Sequence, residues 1–319
     1  MIGIVGAGAF GTALGVTLAR DGNTVTLWDH NVERAARANA ERTSHAIANL
    51  RLPDALRVTS DIDHLVDADV ILLCTPAQTL RQVLQDHAVL RMARYLVACC
   101  KGIDAESLTG PVGTIAGAAP DATPAILTGP SFATDIAKGL PTALTLACAD
   151  ETAGEYLQQR LHSATVRLYR TTDVTGAELG GALKNVIAIG AGVCIGAGLG
   201  DSARAALMTR GFAELSRFAQ SQGAEVATLS GLSGFGDLVL TCTSPQSRNY
   251  RFGEALGRGD TFNGDTTVEG VKTAQAIARL AQNRGIDMPV CANIAALCSG
   301  DIDTEKALQT LLARPLKEE

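Results

Sequence analysis

The sequence predicts an α/β chain, with a doubly wound parallel sheet in its N-terminal part and an all-helical C-terminal part. Three observations predict it. Short apolar runs alternate with amphipathic stretches through the first half. From about Asp173 those runs give way to long helical patterns. A glycine turn joins the first strand to the first helix.

The elements follow in order. Ile2–Val5 reads as a strand and Phe10–Arg20 as an amphipathic helix. Thr24–Trp28 is a second strand, followed by a helix over Val32–Ala40. Val70–Cys74 is apolar on both faces, as a central parallel strand must be, and Leu96–Cys100 and Ala125–Leu127 resemble it. Ala143–Ala147 and Thr165–Tyr169 flank a helix at Glu151–Leu161. Repeated strand–helix units imply parallel pairing with helices on both faces. Beyond them come helices over Gly176–Ala197, Arg204–Gln222 and Val268–Arg284. The expected domains are residues 1–180 and 181–319, with no Pro/Ser-rich linker between them.

Composition narrows the function. The chain of 319 residues is 46% hydrophobic and 19% charged, enough for a sizeable core in two domains. A net charge of −6 argues against nucleic-acid binding, which needs a basic face. Eight cysteines without a CxxC pair read as buried, reduced thiols of a cytoplasmic protein. The five histidines lack metal-ligand spacing, so no zinc site is expected. No signal peptide is read at Met1-Ile2-Gly3-Ile4-Val5. The membrane-like stretch Val186–Leu199 is too short to span a bilayer, so membrane insertion is not expected. Its Gly192-xxx-Gly196 spacing suits close helix packing.

Gly6-Ala7-Gly8-Ala9-Phe10-Gly11 is GxGxxG between a strand and a helix, the setting in which this pattern binds a dinucleotide. Gly6 permits the tight turn, Gly8 admits the pyrophosphate, and Gly11 lets helix and strand pack closely, which makes the sheet Rossmann-type. The helix N-terminus faces the phosphates. Asp29, at the end of the second strand, lies 18 residues beyond Gly11. It stands where an acid binds the adenosine ribose and favours NAD, while His30 beside it suits a 2′-phosphate and NADP. Alternatively, Asp29 caps the next helix.

Four further places carry polar residues that packing alone does not require. Lys101-Gly102 follows the run Leu96–Cys100, at the sheet end that faces ligands, or is a plain surface lysine. Gly129-Pro130-Ser131 makes a turn in which Ser131 caps a helix or donates to a ligand. Lys184-Asn185 sits inside a glycine-rich apolar helix, where the lysine either snorkels or is partly buried, and burial suits it to proton transfer. Ser247, Arg248 and Asn249 form a donor cluster for a phosphate or carboxylate, or else a helix cap with a surface arginine. Asp237 offers an acceptor to a lysine or a substrate hydroxyl.

Taken in order, these motifs resemble the NAD(P)-dependent glycerol-3-phosphate dehydrogenase family, particularly its bacterial soluble members. The markers are GAGAFGTAL from Gly6, KG at Lys101, GPSFA from Gly129 and GGALKNVIAIGAG from Gly180. RGFAEL from Arg210, GDLVLTCTSPQSRN from Gly236 and VEG from Val268 complete them. The resemblance implies reversible reduction of dihydroxyacetone phosphate to sn-glycerol 3-phosphate, a phospholipid precursor, in a cleft between the domains of a homodimer. It implies Lys184 as the catalytic proton carrier. It implies substrate contacts from Lys101, Gly129, Ser131, Lys184, Asp237, Ser247, Arg248 and Asn249. It also implies cofactor contacts from Ala9, Phe10, Lys101, Ala133, Arg248 and Glu269, beside Gly6, Gly8, Gly11, Asp29 and His30. The chain departs from the family at His30, where a basic residue is frequent, and over Gly264–Val268, where a more aliphatic run is expected. A hydroxy-acid or ketopantoate-type dehydrogenase and an NAD(P)-sensing module without turnover are the alternative readings.

Overall fold

The computed structural model describes residues 1–104, 107–262 and 268–312, so residues 264–267 of the divergent segment lie outside the described residues. The chain forms two compact units. The first comprises Met1–Lys101 and Thr109–Glu178, the second Gly102–Leu108 and the residues from Leu179 onward.

The first unit runs β1 (Ile2–Val5), α1 (Ala9–Arg20), β2 (Val25–Trp28), α2 (Val32–Glu41), β3 (Leu56–Thr59), β4 (Val70–Leu73), α3 (Ala77–Asp86) and β5 (Tyr95–Ala98). It continues through α4 (Pro111–Ala118), β6 (Thr123–Thr128), α5 (Ala133–Ala137), β7 (Thr142–Ala147), α6 (Glu151–Leu161) and β8 (Val166–Thr171). One eight-stranded sheet has the order β3-β2-β1-β4-β5-β6-β7-β8. Every residue of β1, β2, β4 and β5 is buried, so their apolar side chains pack under helices on both faces. The strand order reverses between β1 and β4, the point where an open α/β sheet leaves a crevice at its carboxyl end.

Two features correct the sequence reading. The edge strand β3 was not foreseen. It is four residues long, carries an exposed Arg57, and among the described residues pairs only with β2. And the sheet is not wholly parallel, because β7 runs antiparallel to β6. The connection between them explains this. α5 has only five residues, about 8 Å of helix, and cannot run back along a six-residue strand of about 20 Å.

The second unit is helical. It holds most of α7 (Val174–Gly196), then α8 (Gly200–Ser221), α9 (Val226–Ser230), a π-helical turn at Leu232–Gly236, α10 (Asp237–Thr243) and α11 (Arg248–Arg258). α12 (Glu269–Arg284), α13 (Pro289–Ser299) and α14 (Thr304–Leu312) follow. α7 is longer than the apolar stretch read from sequence. At 23 residues it has the length and hydropathy to cross a membrane, but 83% of its most apolar window is buried in protein, which makes it a core helix. Its Gly192 and Gly196 do mediate close packing. A Cβ on Gly192 would meet the Tyr250 carbonyl and the Glu254 amide, and one on Gly257 would meet the Val193 carbonyl. Gly192-xxx-Gly196 of α7 thus faces Gly253-xxx-Gly257 of α11, and the backbones nearly touch.

Helix α13 is tied in by charge. The buried Glu214 of α8 accepts N–H bonds from Val290 (2.8 Å) and Cys291 (3.2 Å) in its first turn. All eight cysteines are free thiols, with Cys74 and Cys298 half-buried and the rest buried.

Candidate functional site

In the first unit the site begins where β1 stops. Gly6 has φ +108°, and a Cβ there would lie 2.9 Å from the Cys74 carbonyl. A Cβ on Gly11 would overlap the Gly6 carbonyl oxygen, so α1 can start only this close to β1 if that residue is glycine. Gly8 is exposed with open space where a Cβ would be, and it caps α1 without any side-chain hydrogen bond. Ala9 is exposed and Phe10 half-buried beside it. The opening amides of a 12-residue helix therefore meet no side chain of their own cap, and the backbone lies bare. That arrangement fits a pyrophosphate.

Asp29 ends β2 and is almost wholly buried, at 3% exposure. Its Oδ1 accepts the Asn31 amide (3.0 Å) and Arg34 Nη2 (2.8 Å). The cap of α2 is Asn31, whose Oδ1 accepts the Arg34 amide at 2.8 Å. The capping alternative for Asp29 is therefore corrected. His30 is exposed and lies 3.3 Å from Arg34 Nη2 through Nε2.

At the carboxyl ends of β5 and β6, Lys101 Nζ (3.0 Å) and Ser131 Oγ (3.3 Å) both donate to the Gly129 carbonyl. Gly129 has φ +137°, which turns that carbonyl out of the strand direction. Lys101 is half-buried, not a plain surface lysine. Nor does Ser131 cap α5. Phe132 holds the cap position and contributes no side-chain bond. Ala133 opens α5 and packs against the sheet core.

In the second unit Lys184 sits in the middle of α7 at 6% exposure. Its Nζ donates to Asp237 Oδ1 at 2.6 Å and to Thr241 Oγ1 at 2.8 Å. Asp237 is fully buried, and Thr241 follows one helical turn later on α10. Gly180, one turn before Lys184, lets the π-helical turn approach α7, since a Cβ there would stand 2.8 Å from the Ser233 carbonyl. That turn delivers Asp237 to the lysine. Burial pushes the neighbouring Cys242 thiol up to about 12, so it stays protonated and is no nucleophile.

The donor cluster at the start of α11 is divided. Ser247 is the helix cap, its Oγ accepting the Tyr250 amide at 3.2 Å. Asn249 is buried and its Oδ1 accepts the Gly270 amide at 3.0 Å, tying α12 to α11. Arg248 is exposed. Glu269, half-buried, opens α12. Sequence reasoning missed Thr241 and Arg34. Thr241 was within reach, because Asp237 and Thr241 are spaced i, i+4 and share a helix face. Arg34 carried no signal, being one of two arginines on a polar helix.

A dinucleotide turn at a sheet's switch point, with a buried lysine–carboxylate pair on a helical unit, defines the class of two-domain nicotinamide-dependent oxidoreductases. The family model described as NAD-dependent glycerol-3-phosphate dehydrogenase N-terminus matches residues 1–154, and that of the same family's C-terminus matches residues 173–309. The chain is 58% identical over 318 residues to a glycerol-3-phosphate dehydrogenase [NAD(P)+] of Paracoccus denitrificans, covering 100% of this chain and 99% of the relative. It is 57% identical over 319 residues to the protein of the same name from Cereibacter sphaeroides, covering all of both chains. The crystal structure of glycerol-3-phosphate dehydrogenase from Coxiella burnetii superposes with a TM-score of 0.91 at 35% identity, covering 98% of each chain. The chain belongs to the NAD-dependent glycerol-3-phosphate dehydrogenase family, and it is an NAD(P)-dependent oxidoreductase of that family.

Proposed function

We propose that the chain reduces dihydroxyacetone phosphate to sn-glycerol 3-phosphate, reversibly, with Lys184 as the proton carrier. The observation that carries this is the buried Lys184 ammonium held 2.6 Å from Asp237 and 2.8 Å from Thr241. The ion pair places an Nζ proton where it can be donated as a ketone becomes an alkoxide. In the reverse direction Nζ, as the neutral amine, takes the hydroxyl proton and becomes the ammonium. Asp237 and Thr241 fix where Nζ points. Arg248 binds the substrate phosphate, a role that its exposure at the start of α11 leaves open to it. Ser247 and Asn249 act here mainly by holding α11 and α12 in place. Lys101 and Ser131 orient the Gly129 carbonyl towards the substrate.

The residues Gly6, Gly8, Ala9, Phe10 and Gly11 would hold the dinucleotide, with further contacts from Asp29, His30, Lys101, Ala133, Arg248 and Glu269. When bound, the nicotinamide supplies or accepts the hydride at C2. We further assign residues 1–180 to cofactor binding and 181–319 to substrate, in a cytoplasmic homodimer that supplies glycerolipid synthesis.

The test is the loss of reduced-nicotinamide absorbance on adding dihydroxyacetone phosphate, with NADH and NADPH in parallel. Rapid loss is expected, and unphosphorylated dihydroxyacetone should be a poor substrate. Absence of turnover from folded protein with either cofactor refutes the assignment.

A further inference from the structure

Two thiols lie side by side beneath the glycine turn. In the β4–β5 pair Leu73 is in register with Ala98, and the Cys99 amide continues the ladder by donating to the Leu73 carbonyl at 2.9 Å. Cys74 and Cys99 are the next pair in that register, and paired residues point to the same face of the sheet. Both pack with the core on the α1 side, whereas Cys100 turns to the opposite face. Neighbouring strands stand about 4.8 Å apart, within the Cα separation of about 4.4–6.8 Å that a disulfide spans.

The two thiols differ in access. Cys99 is 7% exposed and Cys74 is half-buried. Burial, and then the hydrogen bond and charge of the Cys74 thiol beside it, hold the Cys99 thiol well above its ordinary value. Cys99 is thus no first nucleophile, and Cys74 is the member that solvent reaches. Cys74 also supports the turn. A Cβ on Gly6 would lie 2.9 Å from the Cys74 carbonyl oxygen, and one on Gly11 would lie 3.1 Å from the Cys74 Cβ. α1 therefore begins against this residue, and a shift of its side chain is transmitted to the bare backbone of the turn.

We propose that Cys74 and Cys99 are a peroxide-responsive thiol pair whose disulfide weakens dinucleotide binding. Cys74 Sγ, as thiolate, attacks one oxygen of hydrogen peroxide. The O–O bond breaks, and the departing hydroxide takes the thiol's proton and leaves as water. Cys74 is then a sulfenic acid. The Cys99 sulfur attacks the Cys74 sulfur, the S–O bond breaks, and the hydroxyl leaves as water with the Cys99 proton. The thiols lose two electrons and two protons, and the peroxide is reduced to two waters. The inference rests on the reading that the glycine turn binds a nicotinamide dinucleotide.

The experiment treats the full reduced chain with hydrogen peroxide, with and without NADPH. Thiol titration in denaturant should show the eight free thiols falling by two, and peptide mass mapping should find Cys74 joined to Cys99. NADPH affinity, read by fluorescence titration, should fall by about 10-fold or more and return on reduction with dithiothreitol. Bound NADPH should slow the oxidation. Cys99→Ala should stop at the Cys74 sulfenic acid, trapped with dimedone, while Cys100→Ala should respond as the wild type does. Absence of the Cys74–Cys99 link, a link that leaves NADPH affinity unchanged, or a Cys100→Ala variant that no longer responds overturns the proposal and leaves the dinucleotide reading standing. Failure of the reduced chain to bind NADPH or NADH refutes that reading and the proposal with it.

Discussion

Replacing Asp237 by leucine leaves the Lys184 ammonium buried without its counter-ion. The lysine side chain is 8% exposed and the aspartate 0%, so the pair is almost wholly withdrawn from water. Breaking such a pair costs about 3–5 kcal/mol, because the remaining charge keeps its desolvation penalty and loses its partner. Thr241 Oγ1 stays within 2.8 Å of Nζ and offsets a little of this, which places Asp237→Leu near the lower end, at about 3 kcal/mol. Lys184→Met should cost a similar amount by orphaning the carboxylate. The double variant removes both charges and fills the space with apolar atoms, so it should lie within about 1 kcal/mol of the wild type. Urea denaturation at pH 7, followed by far-ultraviolet circular dichroism, gives the three differences and hence the coupling energy. All three variants should lose turnover by about 100- to 10,000-fold. Single variants that each cost under about 1 kcal/mol, and add in the double, would refute the claim that a buried ion pair holds this site together.

Arg248→Ala should raise KM for dihydroxyacetone phosphate by about 10-fold or more, with stability little changed since the residue is exposed. An unchanged KM would exclude phosphate contact. Gly11→Ala places a Cβ on the Gly6 carbonyl and should weaken NAD(P)H binding by at least about 10-fold, read by fluorescence titration, and wild-type affinity would show that the turn yields. Glu178 gives a pH signature. Burial pushes its carboxyl to about 7, against a lowering by the Val112 amide that donates to it at 2.6 Å. The folded state then holds a proton that the unfolded chain releases above the ordinary value of 4.5. The stability this group contributes is fully present below pH 4.5 and falls by about 3 kcal/mol as pH rises to 7. Glu178→Gln should remove that slope, and parallel stability curves for the two proteins between pH 5 and 8 would count against it.

Much of the fold was legible because it is local. A parallel strand buried on both faces has to be a short apolar run, and Ile2–Val5 and Val70–Leu73 are nothing else. The glycine turn was legible because its requirements are backbone requirements, met only by glycine at Gly6 and Gly11. Edge strand β3 was not, since with one neighbour it needs no continuous apolar pattern. The antiparallel β7 depends on how short α5 is, a length that weak helix signals did not mark.

The sequence by itself determined that a dinucleotide turn opens an α/β unit, that a helical unit follows, and that a lysine lies inside an apolar helix. Each is written in neighbouring residues, through periodicity, glycine placement or the company a charge keeps. Only the tertiary structure decided which partners the charges took. It put Asp237 and Thr241 on Lys184, more than fifty residues away. It put Arg34 on Asp29 and left the imidazoles facing out. It made Ser247 and Asn249 binders of backbone. The physical reason is range. Backbone preference acts over a few residues, whereas the partner of a charge depends on which elements packing brings within about 3 Å of it.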